Sequence, residues 1–410
     1  MSKQSRALRR VFVTGTFDVA NYGDLLFPLI ARERLAREGI EIIPVSPSGT
    51  VAKFSDALAC VSTAEMLSGE TDVDGIVVGG GHIIHTNDMS LIEEYAAGGL
   101  GRTAAPGLWL GAALAAAARD VPCVWNAPGI PHPFAQPRRE LIDAALGACD
   151  YLSVRDTASV ELLGAPPGLA MQIVPDTAAE IAQLWPRETL GETFHALLQR
   201  KGADPQAQYL ALHVRNRAVA GTGVKAVARL VDDFCRVRRL RPILAAIGPS
   251  LGDGATARDV AAALETPHVL LDAPGSLAEI AAAIAHSRLY VGASLHGYIT
   301  AASYGVPGML LARPSYRKYQ GFLDHTGRGG DLARDWAGAF DGGARRADEK
   351  PAALIPPSVF ASLDVHWRRL ADALAAPARN RKARHAFLRA WLRAADDATW
   401  ALSPLRASQP

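Results

Sequence analysis

The sequence of 410 residues contains few cysteines and no long hydrophobic run, and these two absences exclude several classes of protein. Its four cysteines (Cys60, Cys123, Cys149 and Cys235) form no C-x-x-C pair, so they indicate neither a disulfide framework nor a zinc site. No apolar run reaches the roughly 18 residues of a membrane-spanning helix. The apolar run at residues 11–13 is too short for a signal peptide. The sequence therefore predicts a soluble, cytoplasmic, globular protein.

A large excess of charge of either sign is also missing. Lys and Arg number 43 and Asp and Glu 41, and the resulting net charge of +2 argues against a protein that coats nucleic acid. Hydrophobic residues make up 49% of the chain and charged residues 20%, a composition that excludes a disordered protein. At about 150 residues per domain, the length predicts two domains.

What the sequence does contain is a repeated alternation of short apolar runs and helical patterns. Predicted strands cover residues 11–14, 41–45, 75–78, 123–126, 151–154 and 172–174 and, after a connector at about 178–187, residues 209–214, 242–247, 269–271, 289–291 and 308–311. Predicted helices cover residues 24–37, 108–119, 138–148, 157–163, 225–238, 255–264, 277–286 and 298–304. Because the strands lack strict polar alternation, they favour parallel sheets covered on both faces. The pattern predicts an α/β protein with two doubly wound, Rossmann-like domains that face a central cleft.

The last part of the chain differs in character from the rest. The predicted boundaries are residues 1–180 for the first domain, 188–330 for the second, and 331–410 for a segment with a charged loop at 341–350 and basic amphipathic helices. From Ala361 onward nine Lys and Arg face four Asp and Glu, and Phe387, Trp391 and Ala395 recur at helical spacing. Two interpretations stay open: a helix packed across the two domains, which we favour, or a basic surface in peripheral contact with anionic lipid at the inner face of the membrane.

Polar and glycine-rich loops follow the predicted strands of the first half. Asn21 and Asp24 lie in the loop that opens the first helix, where local chemistry alone favours a capped turn. Three glycines after residues 75–78 allow a ligand to approach the backbone, and His82 follows them. Arg155 and Asp156 fit a helix cap with an adjacent structural salt bridge. The candidate site residues of this half are Asn21, Asp24, Gly80, Gly81, His82, His132 and Asp176.

Basic side chains follow the strands of the second half. Arg215 and Arg217 come directly after residues 209–214. Because a guanidinium binds carboxylate or phosphate through its planar fork, these two residues form the best anion clamp in the sequence, which does not distinguish between them. Arg313 and Lys318 follow residues 308–311 and add cations to the same edge.

One histidine of the second half follows the strand at residues 289–291. The turn that contains Ser294 and Leu295 brings His296 to the N-terminus of a helix, and Gly297 leaves room there for a ligand. A helix N-terminus favours a bound anion, beside which His296 can hold or donate a proton.

Taken in order, these motifs resemble those of the polysaccharide pyruvyl transferase family. The set spans roughly residues 10 to 325 and consists of Asn21-x-Gly23-Asp24, Gly79-Gly80-Gly81, Val154-Arg155-Asp156, Val174-Pro175-Asp176, Ser294-Leu295-His296-Gly297 and Ser303-Tyr304-Gly305-Val306-Pro307. The resemblance implies a GT-B-like fold. It also implies transfer of a pyruvyl group from phosphoenolpyruvate to a saccharide or lipid-linked saccharide, as a ketal, in cell-surface polysaccharide biosynthesis. Such a reaction requires no metal and no cofactor.

The resemblance also implies roles for individual residues. His296 matches the active-site histidine of the family and is expected to act as the general acid that protonates the methylene carbon of the donor. The first domain is expected to hold the acceptor and the second the donor. Donor contacts are expected from Arg215, Arg217, Ser294, Leu295, Gly297, Arg313 and Lys318. Acceptor or cleft-rim contacts are expected from Asn21, Asp24, Gly80, Gly81, His82, His132 and Asp176.

One position departs from the family pattern, because Ser294 stands where members often have an arginine that holds the donor. Either Arg313, Arg317 or Arg215 compensates for this change, or the donor is not phosphoenolpyruvate. Two alternatives to the pyruvyl transferase therefore stay open. One is a GT-B glycosyltransferase with a nucleotide-sugar donor, although no Asp or Glu lies between His296 and Lys318 to grip such a donor. The other is a saccharide-binding protein that has lost catalysis.

Overall fold

Two parallel β-sheets organise the chain in a computed structural model that describes residues 9–134, 139–313, 317–348 and 353–394. The strands of the first sheet are β1 (Arg9–Thr14), β2 (Ile40–Ser46), β3 (Val61–Ser62), β4 (Gly75–Val78) and β5 (Cys123–Trp125). They pair in the order β3-β2-β1-β4-β5, and every pairing is parallel. Two short strands, β6 (Ser153–Val154) and β7 (Gln172–Ile173), form a separate parallel pair.

Helices cover both faces of the first sheet. They are α1 (Tyr22–Ala36), α2 (Thr63–Ser68), α3 (Glu93–Ala97), α4 (Gly101–Pro106), α5 (Ala112–Arg119), α6 (Arg139–Ala148) and α7 (Thr157–Leu163), with a π-helical turn at Gly107–Gly111 that joins α4 to α5. Val11 and Val13 of β1 pack into one apolar cluster and Phe12 into another. Because successive side chains of a strand point to opposite faces, β1 is covered on both sides, as its unbroken apolar sequence predicts.

The second half repeats this plan after two connecting helices, α8 (Ile181–Leu184) and α9 (Arg187–Arg200). Its strands are β8 (Gln208–His213), β9 (Leu240–Ala245), β10 (Val269–Leu271), β11 (Leu289–Gly292), β12 (Gly308–Leu311) and β13 (Leu332–Ala333), paired in parallel in the order β10-β9-β8-β11-β12-β13. Its helices are α10 (Asn216–Val219), α11 (Val224–Arg238), α12 (Asp253–Ala261), α13 (Leu277–Ala285), α14 (Leu295–Ser303), α15 (Arg317–Thr326) and α16 (Trp336–Ala347). The predicted α/β architecture with two doubly wound, Rossmann-like halves is confirmed.

The last two helices, α17 (Pro357–Leu374) and α18 (Arg381–Ala394), return to the first half. α18 packs on α5 and α6, where Phe387 and Trp391 enter the apolar cluster of Trp109 and Trp125. The prediction that this helix packs across both domains is therefore wrong, because its apolar face is covered by the first half. Ala395 lies outside the described residues. None of the described helices has both the length and the apolar character needed to cross a bilayer.

The predicted charged loop at residues 341–350 also differs from the structure. Residues 341–347 belong to α16 and not to a loop, because Asp335 accepts a hydrogen bond from the Gly338 N–H at 2.8 Å and so caps a helix whose Trp336 and Phe340 are buried. Residues 349–350 of the predicted loop lie outside the described residues. The boundaries at residues 180, 188 and 330 stay predictions.

The two halves meet along α1 and α14. The Tyr22 hydroxyl lies 2.9 Å from the Thr300 hydroxyl, and the Tyr22 N–H donates to the Ile247 carbonyl at 2.9 Å. On the other side of α1, the Ser250 hydroxyl accepts from the Ala20 N–H at 3.1 Å and donates to Glu94 at 2.7 Å. These buried and half-buried contacts hold the carboxyl ends of the two sheets against each other.

Candidate active site

A cavity of about 160 Å³ lies between the two halves, at the carboxyl ends of the central strands. Ligands bind at this edge in open α/β sheets. Nine of its lining residues were predicted from sequence as site residues, namely Asn21, Asp24, Gly81, His82, Arg215, Ser294, Leu295, His296 and Lys318. Thr16, Arg155 and Tyr319 also line the cavity and were not predicted.

His296 projects into the cavity from the first turn of α14. This helix begins at Leu295 because the Ser294 hydroxyl accepts a hydrogen bond from the Gly297 N–H at 3.2 Å. The His296 side chain is largely buried, and its Nε2 atom has no hydrogen-bond partner among the residues that the structure describes. This nitrogen is therefore available to exchange a proton with a bound ligand.

The first half of the chain holds the imidazole of His296 in place. The ring of Phe27 meets the His296 ring edge-on, with 5.4 Å between centroids. Gly23 lies directly against the same ring, because a Cβ atom at residue 23 would lie only 2.6 Å from Cε1 and closer still to Nδ1. The glycine of the Asn21-x-Gly23-Asp24 motif thus makes room for a side chain of the other half.

A buried carboxylate, Asp176, lies behind His296. Its Oδ2 atom is 3.6 Å from Nε2 of His296 and 3.6 Å from Nη1 of Arg155, and its Oδ1 accepts from the Ala178 N–H at 3.0 Å. Burial alone would raise the pKa of Asp176, but the neighbouring His296 and Arg155 lower it below the ordinary value. Asp176 therefore carries a negative charge beside the imidazole of His296.

Arg155 is the main site residue that sequence reasoning missed. The predicted local structure is present, because Asp156 caps α7 through the Ser159 N–H at 2.7 Å. The Arg155 side chain, however, lines the cavity, and its Nε and Nη2 atoms are buried without a hydrogen-bond partner in the described parts of the chain. Buried guanidinium N–H groups are expensive to leave unbonded, so their presence at a cavity indicates an anionic ligand.

The structure separates the two arginines of the predicted clamp. Arg215 is the last residue before α10 and lines the cavity, and its Nε lies 3.9 Å from Oδ1 of Asp253. Asp253 in turn accepts from Nε2 of the buried His213 at 2.9 Å. Arg217 lies within α10, exposed to solvent and outside the cavity.

The remaining charges of the cavity lie on Lys318 and Asp24. Desolvation, together with the positive charges of Arg155 and Arg215, lowers the pKa of Lys318 to about 8. Asp24 is half-buried and accepts a hydrogen bond from the Asn21 side-chain amide at 2.7 Å. The cationic lining thus comes from both halves, and Asp24 is the one carboxylate among the lining residues that the structure describes.

His82 contributes a neutral imidazole to the lining. Burial, with the nearby positive charges of Arg155 and Lys318, lowers the pKa of His82 well below the ordinary value. The absence of a side chain at Gly129 allows His82 and Arg155 to lie close to the backbone there, since a Cβ atom at residue 129 would lie 2.5 Å from Cδ2 of His82 and 2.6 Å from Nε of Arg155. No three His, Cys, Asp or Glu side chains within the described ranges gather as a metal site.

Several predicted site residues lie outside the cavity, and their roles stay predictions. Gly80 packs on the Phe27 ring, Gly297 packs beneath Tyr290 and Ile247, and His132 is exposed. Arg313 lies against Gly221, and Arg317 is exposed at the start of α15. Neither arginine therefore occupies the place that the Ser294 substitution leaves open, whereas Arg155 and Arg215 do line the cavity.

Comparisons with known proteins agree with this arrangement. The family model described as polysaccharide pyruvyl transferase matches residues 21–315. The UDP-GlcNAc 2-epimerase of Methanocaldococcus jannaschii, in complex with UDP-GlcNAc and UDP, is similar in structure with a TM-score of 0.53 and 12% identity, over 87% of this chain and 98% of that chain. The UDP-GlcNAc 2-epimerase of Neisseria meningitidis gives 0.52 and 10%, over 88% and 99%. At these identities the likeness shows the GT-B fold alone, and no curated protein matches the chain.

Proposed function

The chain belongs to the polysaccharide pyruvyl transferase family, and from this premise we propose that it transfers the pyruvyl group of phosphoenolpyruvate to a saccharide as a ketal. The observation that carries the choice of donor is the buried guanidinium of Arg155, which has two nitrogens without hydrogen-bond partners in the described structure and lines the same cavity as Arg215 and Lys318. Phosphoenolpyruvate carries a carboxylate and a phosphate on adjacent atoms. Forked and point cations are the groups that bind these two anions.

The proposed first step is proton transfer from Nε2 of His296 to the methylene carbon of the donor. The carbon–carbon double bond supplies the electron pair for the new C–H bond, and the adjacent carbon becomes an oxocarbenium-like centre. Asp176 supports this step through its position, because its carboxylate lies 3.6 Å from Nε2 and places a negative charge beside the imidazole that delivers the proton. A saccharide hydroxyl next adds to the oxocarbenium-like carbon, and the bond from carbon to the phosphate oxygen then breaks, so that the phosphate leaves with additional negative charge toward Arg155, Arg215 and Lys318. The second hydroxyl adds to the carbon that the phosphate has left.

We assign the acceptor to the side of the cavity formed by the first half. An attacking saccharide hydroxyl must lose a proton, and Asp24 is the carboxylate of the described lining. The Asn21 amide fixes one oxygen of Asp24 at 2.7 Å, which leaves the other to accept that proton. Two hydroxyls form the ketal: one of their protons balances the proton delivered to the methyl group, and the other leaves with hydrogen phosphate.

Calorimetric titration with phosphoenolpyruvate tests the donor without knowledge of the acceptor. We expect saturable binding that weakens about tenfold to a hundredfold in Arg215→Ala, because a charged hydrogen-bond donor to the anion is lost. Arg217→Ala is the matched control and is expected to bind like the parent, since Arg217 is exposed outside the cavity. Heat from a uridine nucleotide sugar, with none from phosphoenolpyruvate, would contradict the proposal and assign the chain to the glycosyltransferases.

If Asp24 acts on the acceptor, its substitution should not weaken donor binding, in contrast to Arg215→Ala. Asp24→Asn keeps the shape of the side chain but removes the base and one negative charge from the donor cavity. We expect turnover to fall about a hundredfold, while phosphoenolpyruvate binds as tightly as in the parent or more tightly. Phosphate release over a panel of nitrophenyl glycosides measures turnover, and calorimetry measures binding. Loss of donor binding together with turnover would place Asp24 among the structural residues.

A further inference from the structure

The outward face of α18 carries a concentration of basic side chains that the proposed reaction does not use. Between Ala373 and Ala395 the sequence has no acidic residue. The part of the chain from residue 353 to 394 holds eight Lys and Arg against two Asp, a net charge of +6 in a chain whose total is +2. The remainder of the chain is therefore net negative, and this segment concentrates the positive charge.

One face of α18 is buried against the first half. Phe387 and Trp391 are buried against the first half, so the apolar face is not available for insertion into a membrane. Arg384 is fully buried, and it pairs with Asp120 at 2.9 Å and Asp150 at 3.2 Å. These residues attach the helix to the protein.

The opposite face of α18 remains in solvent. Lys382, Arg389 and Arg393 are exposed, and no ion pair between described residues involves any of them. Leu392 lies between Arg389 and Arg393 in the sequence, and its side chain is 61% exposed. Lys382, Arg389 and Arg393, which form no ion pair with another described residue, lie beside an exposed leucine, and this combination complements a surface with anionic groups above an apolar layer.

We propose that this face of α18 binds the anionic headgroups of a lipid bilayer. Leu392 favours lipid over nucleic acid as the occupant, because an apolar side chain gains nothing against a phosphodiester backbone but is stabilised in the interfacial region of a bilayer. The contact is electrostatic and reversible, since the apolar face is already buried. This inference is independent of the donor and holds whether or not the proposed reaction is correct.

Another helix of the same molecule provides a matched control. α11 also exposes three cations, Lys225, Arg229 and Arg236, but Arg236 pairs with Asp233 at 3.1 Å and with Glu265 at 3.8 Å. Its exposed face thus mixes both signs of charge. Reversal of three charges on α11 changes the net charge of the protein as much as reversal on α18 but leaves the proposed surface intact.

Co-sedimentation of the full chain with vesicles tests the proposal, with mixed phosphatidylcholine and phosphatidylglycerol against phosphatidylcholine alone. We expect binding to the mixed vesicles at about 0.1 M salt and loss of binding near 1 M, where screening shortens the Debye length to about 3 Å. Each basic residue is expected to contribute about fivefold to the partition coefficient. The variant K382E/R389E/R393E should therefore lose binding, whereas K225E/R229E/R236E should bind like the parent.

Three further measurements keep the outcome decisive. The neutral variant K382Q/R389Q/R393Q, which avoids repulsion of nearby acids, should also lose most binding, and thermal unfolding checks that each variant is folded. Leu392→Ser should weaken vesicle binding and leave any affinity for duplex DNA unchanged. Equal binding of the α18 and α11 variants, binding to neutral vesicles, or tight DNA binding without vesicle binding would each overturn the proposal. The assay contains neither donor nor acceptor, so its failure is distinct from failure of the proposed function.

Discussion

His296→Ala is expected to bind phosphoenolpyruvate and to remain folded but to lose turnover by about 10² to 10⁴-fold, the range that a positioned general acid contributes. The expectation rests on the geometry of one atom. Nε2 of His296 has no hydrogen-bond partner among the described residues and lies at a cavity whose other nearby cations are two arginines and Lys318. An arginine side chain does not release its proton in a protein, and the ammonium of Lys318 is needed against the phosphate. His296 is thus the group best suited to protonate carbon.

The measurement separates binding from chemistry. Calorimetry with phosphoenolpyruvate reports the affinity, and phosphate release in the presence of nitrophenyl glycosides reports the turnover. His268→Ala is the matched control, because His268 is an exposed histidine outside the cavity with no predicted role in the site, and its loss should change neither quantity. In deuterated water the parent should place deuterium in the methyl group of the product, since the proton donated by His296 exchanges with solvent. Parental rates of phosphate release from a folded His296→Ala variant would sink the assignment.

The loops at the strand ends could be predicted because the signals that produce them are local. Residues 75–78 are predicted as a strand and form β4, and Gly81, the last of the three glycines after it, lines the cavity. The sequence pattern predicts that this helix starts at residue 298, three residues after the observed start of α14 at Leu295, although Ser294 has a side chain suited to the cap. The long helix α9 was missed, yet Leu190, Phe194, Leu197 and Leu198 follow the spacing of a buried helix face.

The roles of the arginines could not be predicted, because they depend on contacts between distant parts of the chain. The predicted salt bridge of Arg155 is present, because its Nε lies 3.6 Å from Oδ2 of Asp156. That local pair does not reveal that the same side chain also lines a cavity, which depends on the distant residues Asp176 and Gly129 and on the second half. Arg215 and Arg217 differ because α10 begins at Asn216, and a helix of four residues has too few positions for a periodic signal.

Gly23→Ala is the second change with a large expected effect, and its sign is opposite to that of an ordinary helix substitution. Within a helix, Ala in place of Gly stabilises by about 0.5–1 kcal/mol, because the unfolded chain has less freedom to lose. At residue 23, however, the new Cβ atom would overlap the ring of His296. We therefore expect a lower unfolding temperature and loss of turnover, since either the imidazole or α1 must move.

A double-mutant cycle isolates this contact from every other effect of the alanine. In the His296→Ala background the obstructing ring is absent, so Gly23→Ala should become neutral or stabilising, and the double variant should unfold at or above the temperature of His296→Ala alone. Gly191→Ala is the matched control within α9, because a Cβ there meets no atom within 4 Å, and it should stabilise the protein in both backgrounds. If Gly23→Ala destabilises equally with and without His296, the two halves do not meet at this pair. The glycine motif of the first half and the histidine motif of the second would then have separate roles. If the effects of the two substitutions are instead coupled, the contact between α1 and the His296 ring contributes to stability, and the size of the coupling reports how closely the two halves meet at the site.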